Sequence, residues 1–228
     1  MVLFFSSGVA IRYVLPVLFA VVGSSAGTVD QWSVSNYGSP DGVSVSPSGN
    51  VVIAVRDTGQ LVILSPTGQV VKHVKLPTEL VSPRHAIQLA GGDDRYLLCH
   101  GWATSVYGIC VVDGNGRITK SAASGPAQRD GAAVAARAKS FTPTYLAVDG
   151  RGNVLAAEFT GCAVQQYSKA LDYIGDAVVH DDDDDDDGGG SLHQPFRLCV
   201  DQTSGRLYVG EFGGQTRVIA FDSHIKQT

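Results

Sequence analysis

The chain has 228 residues, of which 44% are hydrophobic and 17% are charged, and its formal net charge at pH 7 is -5. This length allows one sizeable domain or two small ones. The balance of many hydrophobic residues, abundant glycine and few charges fits short strands joined by tight turns better than helices or a disordered chain, and so favours an all-β fold. The negative net charge argues against general attraction to nucleic acid phosphates, but it does not exclude local basic patches.

The first 26 residues form a distinct N-terminal segment. Arg12 precedes an uninterrupted apolar stretch at 13–22, and small residues follow at 23–26. This order predicts a signal peptide cleaved after Ala26, and therefore a secreted or lumenal protein. Three alternatives stay open. A retained segment would anchor the chain to a membrane, although the stretch is shorter than the roughly 18 residues of a spanning helix. A misjudged start would leave a cytoplasmic protein, and the segment could instead supply strands to the domain at 27–228.

The domain at 27–228 contains four copies of one pattern. Each copy begins at a proline and continues into alternating apolar positions, and successive prolines lie about 40 to 60 residues apart, as expected for propeller blades with loop insertions. The prolines are Pro40, Pro83, Pro143 and Pro195. The apolar positions of the second copy suggest a shift of about one residue relative to the other three.

Each copy predicts an antiparallel sheet of up to four strands. Alternation marks the first strand, and turns at 48–50, 150–153 and 203–205 contain residues that accept the positive φ of tight hairpins before the second strand. Third strands are predicted at 61–64, 107–112, 163–167 and 217–221. Outer strands are predicted at 70–76, 117–121 and 173–179. Four short strands without a crossover helix are typical of a β-propeller blade.

Seven consecutive aspartates at 181–187 interrupt the pattern between the third and fourth copies. Adjacent carboxylates repel one another and have no apolar surface to bury, so a disordered acidic loop is predicted at 180–191. A weak calcium site is the alternative, because Ca²⁺ prefers oxygen ligands.

The third copy resembles the NHL repeat over the segment 130–158. Its matching positions are Asp130, Gly131, Phe141, Pro143, Val148, Asp149, Gly152, Asn153 and Glu158. The first and fourth copies match this pattern at fewer positions: the first has Ser46 in place of Asp149, and the fourth has Arg206 in place of Asn153. The resemblance implies an NHL-type β-propeller, similar to the propeller of tripartite-motif proteins.

Four recognisable blades leave the closure of the ring open. The chain could close with four blades, gain strands from the N-terminal segment, or contribute to a larger ring. Unpaired strand edges tend to pair with other chains. Oligomerisation is therefore predicted if four blades do not close.

The connectivity of such blades places two sets of loops at one end, namely those that precede the first strands and those that join the second strands to the third. Aromatic and arginine side chains in these loops predict a surface for a protein or peptide partner. The predicted partner-binding residues are Arg56, Arg84, His85, Trp102, Tyr145 and Arg197. The arginines are expected to be exposed, because a buried unpaired guanidinium is costly.

These observations favour a non-catalytic binding platform without cofactor or metal. The alternative is a secreted hydrolase similar to lactonases and gluconolactonases, or a lyase. Resemblance to such enzymes implies a metal ion held in the central channel. The inner strands lack the converging acids and histidines that would bind this ion. RNA binding ranks third, since no clear nucleic-acid signal is present.

The four cysteines fit either compartment. In an exported chain, Cys99 and Cys110 lie in neighbouring predicted strands and could form a disulfide. In a cytosolic chain, all four would be buried small hydrophobic residues. Their spacing does not match a zinc site.

Overall fold

The structure of the chain is a computed structural model that describes residues 2–4, 9–14, 17–22, 35–80, 82–91, 94–101, 107–122, 141–178, 192–212 and 217–222. For the first three of these ranges it describes the backbone alone. The acidic loop predicted at 180–191 and Trp102 lie outside the described residues. Apart from one short 3-10 helix, Ser35–Tyr37, every regular element in the described ranges is a β-strand.

Three strands lie in the N-terminal segment: β1 (Val2–Phe4), β2 (Val9–Val14) and β3 (Val17–Val22). They form an antiparallel sheet in the order β1-β2-β3. This sheet is separate from the four sheets described below. All of the alternatives for the segment, including export with cleavage after Ala26, stay predictions. In the part of the chain that was described, no helix is long and apolar enough to cross a membrane.

Four further antiparallel sheets follow one another along the chain and are arranged as the blades of a β-propeller, which confirms the predicted all-β fold. Blade 1 contains β4 (Pro40–Val45), β5 (Val51–Val55), β6 (Gln60–Leu64) and β7 (Val70–Lys75). Blade 2 contains β8 (Pro83–Gln88), β9 (Arg95–His100), β10 (Gly108–Asp113) and β11 (Ile118–Ser121). Blade 3 contains β12 (Pro143–Val148), β13 (Val154–Glu158), β14 (Ala163–Tyr167) and β15 (Tyr173–Val178). Blade 4 contains β16 (Pro195–Val200), β17 (Leu207–Glu211) and β18 (Val218–Phe221).

The first hairpin of every blade has the same geometry. A register shift follows the proline in each inner strand, for example between Pro40 and Gly42 in blade 1 and between Pro83 and His85 in blade 2. The residue directly after the proline is therefore the extra residue of a β-bulge, which turns its side chain out of the regular alternation. The second copy is consequently in the same register as the others, and the expected shift of one residue is wrong. Gln88 stands where the other copies have an apolar residue, which gave the appearance of a shift.

One backbone hydrogen bond also recurs at this end of all four blades. The amide after the second strand donates to the carbonyl of the residue before the proline. The four bonds are Arg56 to Ser39 (3.0 Å), Gly101 to Ser82 (3.3 Å), Phe159 to Thr142 (3.3 Å) and Phe212 to Gln194 (2.9 Å). They fix the two sets of loops next to each other, at the end of the propeller where the predicted site lies.

The turn between the first and second strands lies at the other end of each blade. Different side chains hold this turn in different copies, through the same kind of hydrogen bond. In blade 3 the Asp149 carboxylate accepts hydrogen bonds from the amides of Arg151 (2.9 Å) and Asn153 (2.8 Å). In blade 1 the Ser46 hydroxyl accepts the equivalent bond from Asn50 (2.9 Å). Short polar side chains stabilise such turns by bonding backbone amides two and four residues ahead, so the resemblance at these positions reports turn formation.

Apolar clusters fill the spaces between consecutive blades. Val52, Leu61 and Ile63 of blade 1 pack with Ala86 and Leu98 of blade 2. Equivalent clusters join blade 2 to blade 3 and blade 3 to blade 4. Because both faces of the middle strands are covered, their sequences read as continuous apolar runs such as VVIAV, which is buried throughout.

We expect Gly42→Ala to destabilise the protein by about 2 kcal/mol, since overpacking a closely packed site forces backbone shifts. A Cβ at Gly42 would lie 2.2 Å from the Arg84 carbonyl oxygen and 2.7 Å from the His85 Cα of the next blade. Gly150→Ala is the matched control, because a Cβ there meets nothing within 4 Å. Urea unfolding of the three proteins measures the difference, and equal stability of both variants would contradict the close contact of blades 1 and 2.

Candidate functional site

Six side chains from the starts of the inner strands meet near the propeller axis. We call them the axial cluster: Asp41, Arg84, His85, Tyr145, Phe196 and Arg197. Each of them is the first or second residue after the proline of its blade, at or beside the β-bulge. The repeated bulge therefore brings together residues that are widely separated in the sequence.

Asp41 is the anionic group of the axial cluster. Its carboxylate oxygens lie 3.7 Å from Arg84 Nε of blade 2 and 3.9 Å from Arg197 Nη2 of blade 4. The three side chains are only 13%, 9% and 14% exposed, so little water screens their attraction. Arg84 and Arg197 thus lie largely out of solvent beside an acid, and the expectation that these two arginines would be exposed is wrong. The burial cost of their charges is offset by Asp41, which joins blades 1, 2 and 4.

His85 joins blades 1, 2 and 3. Its Nδ1 accepts a hydrogen bond from the Leu146 amide at 3.3 Å, which leaves the Nε2 proton to donate to the Val43 carbonyl oxygen at 3.2 Å. Its ring stacks on Tyr145 with centroids 3.6 Å apart, and the Tyr145 hydroxyl donates to the same carbonyl at 3.0 Å. Burial lowers the pKa of His85 to about 3, with a further lowering by the Arg197 charge against the opposing effect of the Val43 hydrogen bond. His85 is therefore neutral near pH 7, and both ring nitrogens are engaged within the fold.

Arg197 lies across two aromatic rings. Its guanidinium carbon is 4.0 Å from the Phe196 ring centre and 5.0 Å from that of Tyr145. Cation–π contacts of this length are favourable, more so when partly removed from water. The contact holds the Arg197 head group beside the aromatic residues at this end of blade 4.

Three phenylalanines adjoin Arg197. Ring centres are 6.1 Å apart for Phe159 and Phe196, 5.4 Å for Phe196 and Phe212, and 6.4 Å for Phe159 and Phe212. Phe212 is 58% exposed although it is large and apolar. The aromatic side chains thus pack on one another and also present a surface to solvent. We call Phe159, Phe196, Phe212 and Arg197 the aromatic surface.

Glu158 and Glu211 end the second strands of blades 3 and 4, and both are buried. Glu158 Oε1 accepts hydrogen bonds from the amide and hydroxyl of Thr142, at 2.7 and 2.9 Å, and its Oε2 accepts from the Gly161 amide. Glu211 accepts from the His193 amide at 2.6 Å and from Arg217 Nε at 2.6 Å. Both carboxylates therefore hold the loops of their own blades.

Two predicted site residues remain, Arg56 and Trp102, and Trp102 lies outside the described residues. Arg56 follows the second strand of blade 1, pairs with Asp57 at 3.5 Å and is 37% exposed. The structure thus brings together four of the six predicted site residues, Arg84, His85, Tyr145 and Arg197. The role of all six residues in partner binding stays a prediction.

The predicted Cys99–Cys110 disulfide is not formed. In the β9–β10 register, Cys99 lies opposite Ile109 and Cys110 lies opposite Leu98. The one-residue offset turns the two thiols to opposite faces of the sheet, toward blade 3 and blade 1 respectively. Both cysteines are free, and burial raises the pKa of each thiol to about 12.

Within the described ranges, no group of three or more histidine, cysteine, aspartate or glutamate side chains is placed to hold a metal ion. The aspartate run at 181–187, which was considered for calcium, lies outside those ranges.

Sequence reasoning missed Asp41 as a site residue. The residue directly after the proline is Asp41, Arg84, Thr144 or Phe196 in the four copies. At this one position of the repeat, the copies include an acid, a base and an aromatic residue. Residues of such different chemistry at equivalent positions are unlike the regular alternation of the rest of the strand. Comparing the copies column by column would have identified Asp41 as the partner of the arginines.

Comparison with known proteins supports the fold and leaves the family open. No family model matches the chain, and neither does any curated protein. Among solved structures, a candidate gluconolactonase has a TM-score of 0.64 at 13% identity, with 97% of this chain and 73% of that chain covered. Virginiamycin B lyase from Staphylococcus aureus has a TM-score of 0.58 at 11% identity, with 99% and 70% covered. The WD40 β-propeller domain of Doa1 has a TM-score of 0.56 at 13% identity, with 91% and 58% covered. All three similarities concern the fold alone.

Proposed function

We propose that this β-propeller is a non-catalytic platform that binds a protein or peptide through the aromatic surface. The observation that carries the proposal is the 58% exposure of Phe212 within a packed group of three phenylalanines beside Arg197. Aromatic and arginine side chains dominate the energetically important centres of protein interfaces.

The surroundings of this surface favour binding with little rearrangement. Phe196 is fixed by its position in β16 and by Arg197, and the amide of Phe212 is bonded to Gln194 at 2.9 Å. Anchors that are already ordered lose less side-chain entropy when a partner binds. A rigid surface of this kind suits an apolar side chain of a peptide or of a folded partner.

Among the described residues, the same end of the propeller offers few groups for catalysis. His85 has both ring nitrogens engaged in hydrogen bonds, and Glu158 and Glu211 bond to backbone amides. A general acid or base must reach a substrate proton, which none of these three groups does in this arrangement. These contacts support a binding function.

An enzymatic function is the second candidate, because solved structures of similar fold include a candidate gluconolactonase and a streptogramin B lyase. It is tested by assaying lactone hydrolysis and streptogramin B cleavage with the purified protein, with and without added divalent metal. Turnover that is lost in an Asp41→Asn variant would favour the enzyme over the binding platform.

The binding proposal is tested by selecting peptides from a displayed library against the purified protein and measuring their affinities by titration. We expect Phe212→Ala to weaken selected peptides by at least about tenfold, as for truncation of an interface hot spot. Ile174→Ala is the control, because Ile174 is also exposed (43%) but lies on the outer strand of blade 3. Failure to select any peptide, or equal affinities for both variants, would contradict the proposal.

A further inference from the structure

Blade 4 differs from the other blades in the covering of one sheet face. Ile219 and Phe221 of β18 pack toward blade 3. The opposite side of the same sheet carries Cys199, Arg206, Tyr208, Val218, Ala220 and Asp222, since side chains alternate along strands and Tyr208 lies opposite Ala220. We call these six residues the outer face of blade 4. In the described part of the chain, no apolar cluster joins this face to another blade.

The residues at equivalent positions of the other blades are covered by a neighbouring sheet. Val218 lies opposite Gly210 and is 65% exposed, whereas Val164, the equivalent residue of blade 3, is fully buried. Leu61 is the equivalent residue of blade 1 and is likewise buried. Blade 4 thus presents to solvent a face that its sister blades cover with another sheet.

The chemistry of this face is self-complementary. Its centre is uncharged, and its outer rim carries one cation and one anion, Arg206 and Asp222, whose Nε and Oδ1 atoms are 2.9 Å apart. At the inner edge of the same face lies Arg197, whose charge is paired with Asp41. In a two-fold interface each copy presents the same patch, so a rim with a single sign of charge would repel itself. A rim with both signs lets Arg206 of one copy face Asp222 of the other.

We propose that the outer face of blade 4 is the interface of a two-fold symmetric dimer of this chain. A second copy covers Val218, Ala220 and Tyr208 with the same residues and so supplies the sheet layer that the neighbouring blades have. The proposed contact uses residues other than the aromatic surface, and the two surfaces adjoin at Arg197, which lies in the same row of blade 4 as Gly210 and Val218. The sedimentation test below reports on the dimer alone, whether or not a peptide binds.

The test is sedimentation velocity of the full chain at increasing concentration, up to about 1 mM, since interfaces smaller than the usual size are weak. We expect a monomer–dimer equilibrium that Val218→Lys shifts toward monomer by at least about tenfold in dissociation constant, because it places like charges at the two-fold contact. Val71→Lys is the matched control: Val71 is 57% exposed and lies on the outer strand of blade 1. We expect Val71→Lys to dimerise like the parent chain.

Three results would overturn the proposal: a monomer at every concentration, a dimer that is unaffected by Val218→Lys, or an equal effect of both lysine variants. A second measurement locates the contact directly. Ala220→Cys, treated with a short bismaleimide linker, should give more cross-linked dimer than the parent chain, and Val71→Cys should not. Circular dichroism of each variant verifies folding, and equal cross-linking of the two cysteine variants would also contradict the interface.

Discussion

Replacing His85 with glutamine is expected to make the loss of stability shallower when the pH falls below about 6.5. Burial lowers the pKa of His85 from 6.5 to about 3 in the folded state. The unfolded chain therefore binds a proton in this range and the folded chain does not, so stability is complete above the unfolded pKa and declines as the pH falls. The slope from one such group is at most about 1.4 kcal/mol per pH unit.

The measurement is the free energy of unfolding in urea at pH 7, 6, 5 and 4 for the parent chain and for His85→Gln. At pH 7 the variant should be less stable, since it loses the stacking on Tyr145 and alters the bond to Val43. Its pH profile should nevertheless be flatter. Burial also lowers the pKa of His100, which leaves a smaller decline in the variant. His73→Gln is the control at an exposed histidine. A parallel decline in parent and His85→Gln would contradict a buried neutral His85.

Removing the Glu158 side chain is expected to destabilise the protein by about 3 kcal/mol, because several donors then lose a buried charged acceptor at once. The amide and hydroxyl of Thr142 and the amides of Thr160 and Gly161 all bond to this carboxylate. Glu158→Ala leaves these groups without their acceptor and opens a small cavity. Glu158→Gln keeps an acceptor oxygen and should cost less.

Thermal and urea unfolding of both variants measure the effect. Glu79→Ala is the control, since Glu79 is exposed in the connection between blades 1 and 2. A change at Glu158 that is no larger than the change at Glu79 would show that the carboxylate does not hold the loop.

The repeated part of the fold could be predicted from the sequence because each blade is specified locally. The proline, the alternating strand and the turn residues lie within a short stretch, and the predicted third strand at 163–167 matches Ala163–Tyr167. The predicted outer strand at 70–76 ends one residue later than Val70–Lys75. The four-bladed arrangement followed from repetition, whereas the NHL type stays a prediction.

The candidate site was less predictable, because it depends on contacts between blades. The burial of Arg84 follows from Asp41, which lies in a different blade and was not considered as its partner. The disulfide prediction failed for a related reason: neighbouring strands were identified, but their register decides which faces the thiols occupy. A one-residue difference in register is not visible in the apolar pattern when both faces of a strand are buried.

The backbone bond that recurs between the residue before each proline and the residue after each second strand has a practical consequence. Arg56, Gly101, Phe159 and Phe212 are all held by it through their amides, whatever their side chains. Arg56, Phe159 and Phe212 therefore form a set that can be randomised together while the scaffold stays intact. Gly101 has to stay glycine, because its φ is +122° and a Cβ there would lie 2.8 Å from the Tyr107 Cα. Recombining arginine and phenylalanine among these three positions would yield a family of engineered recognition surfaces on one unchanged frame.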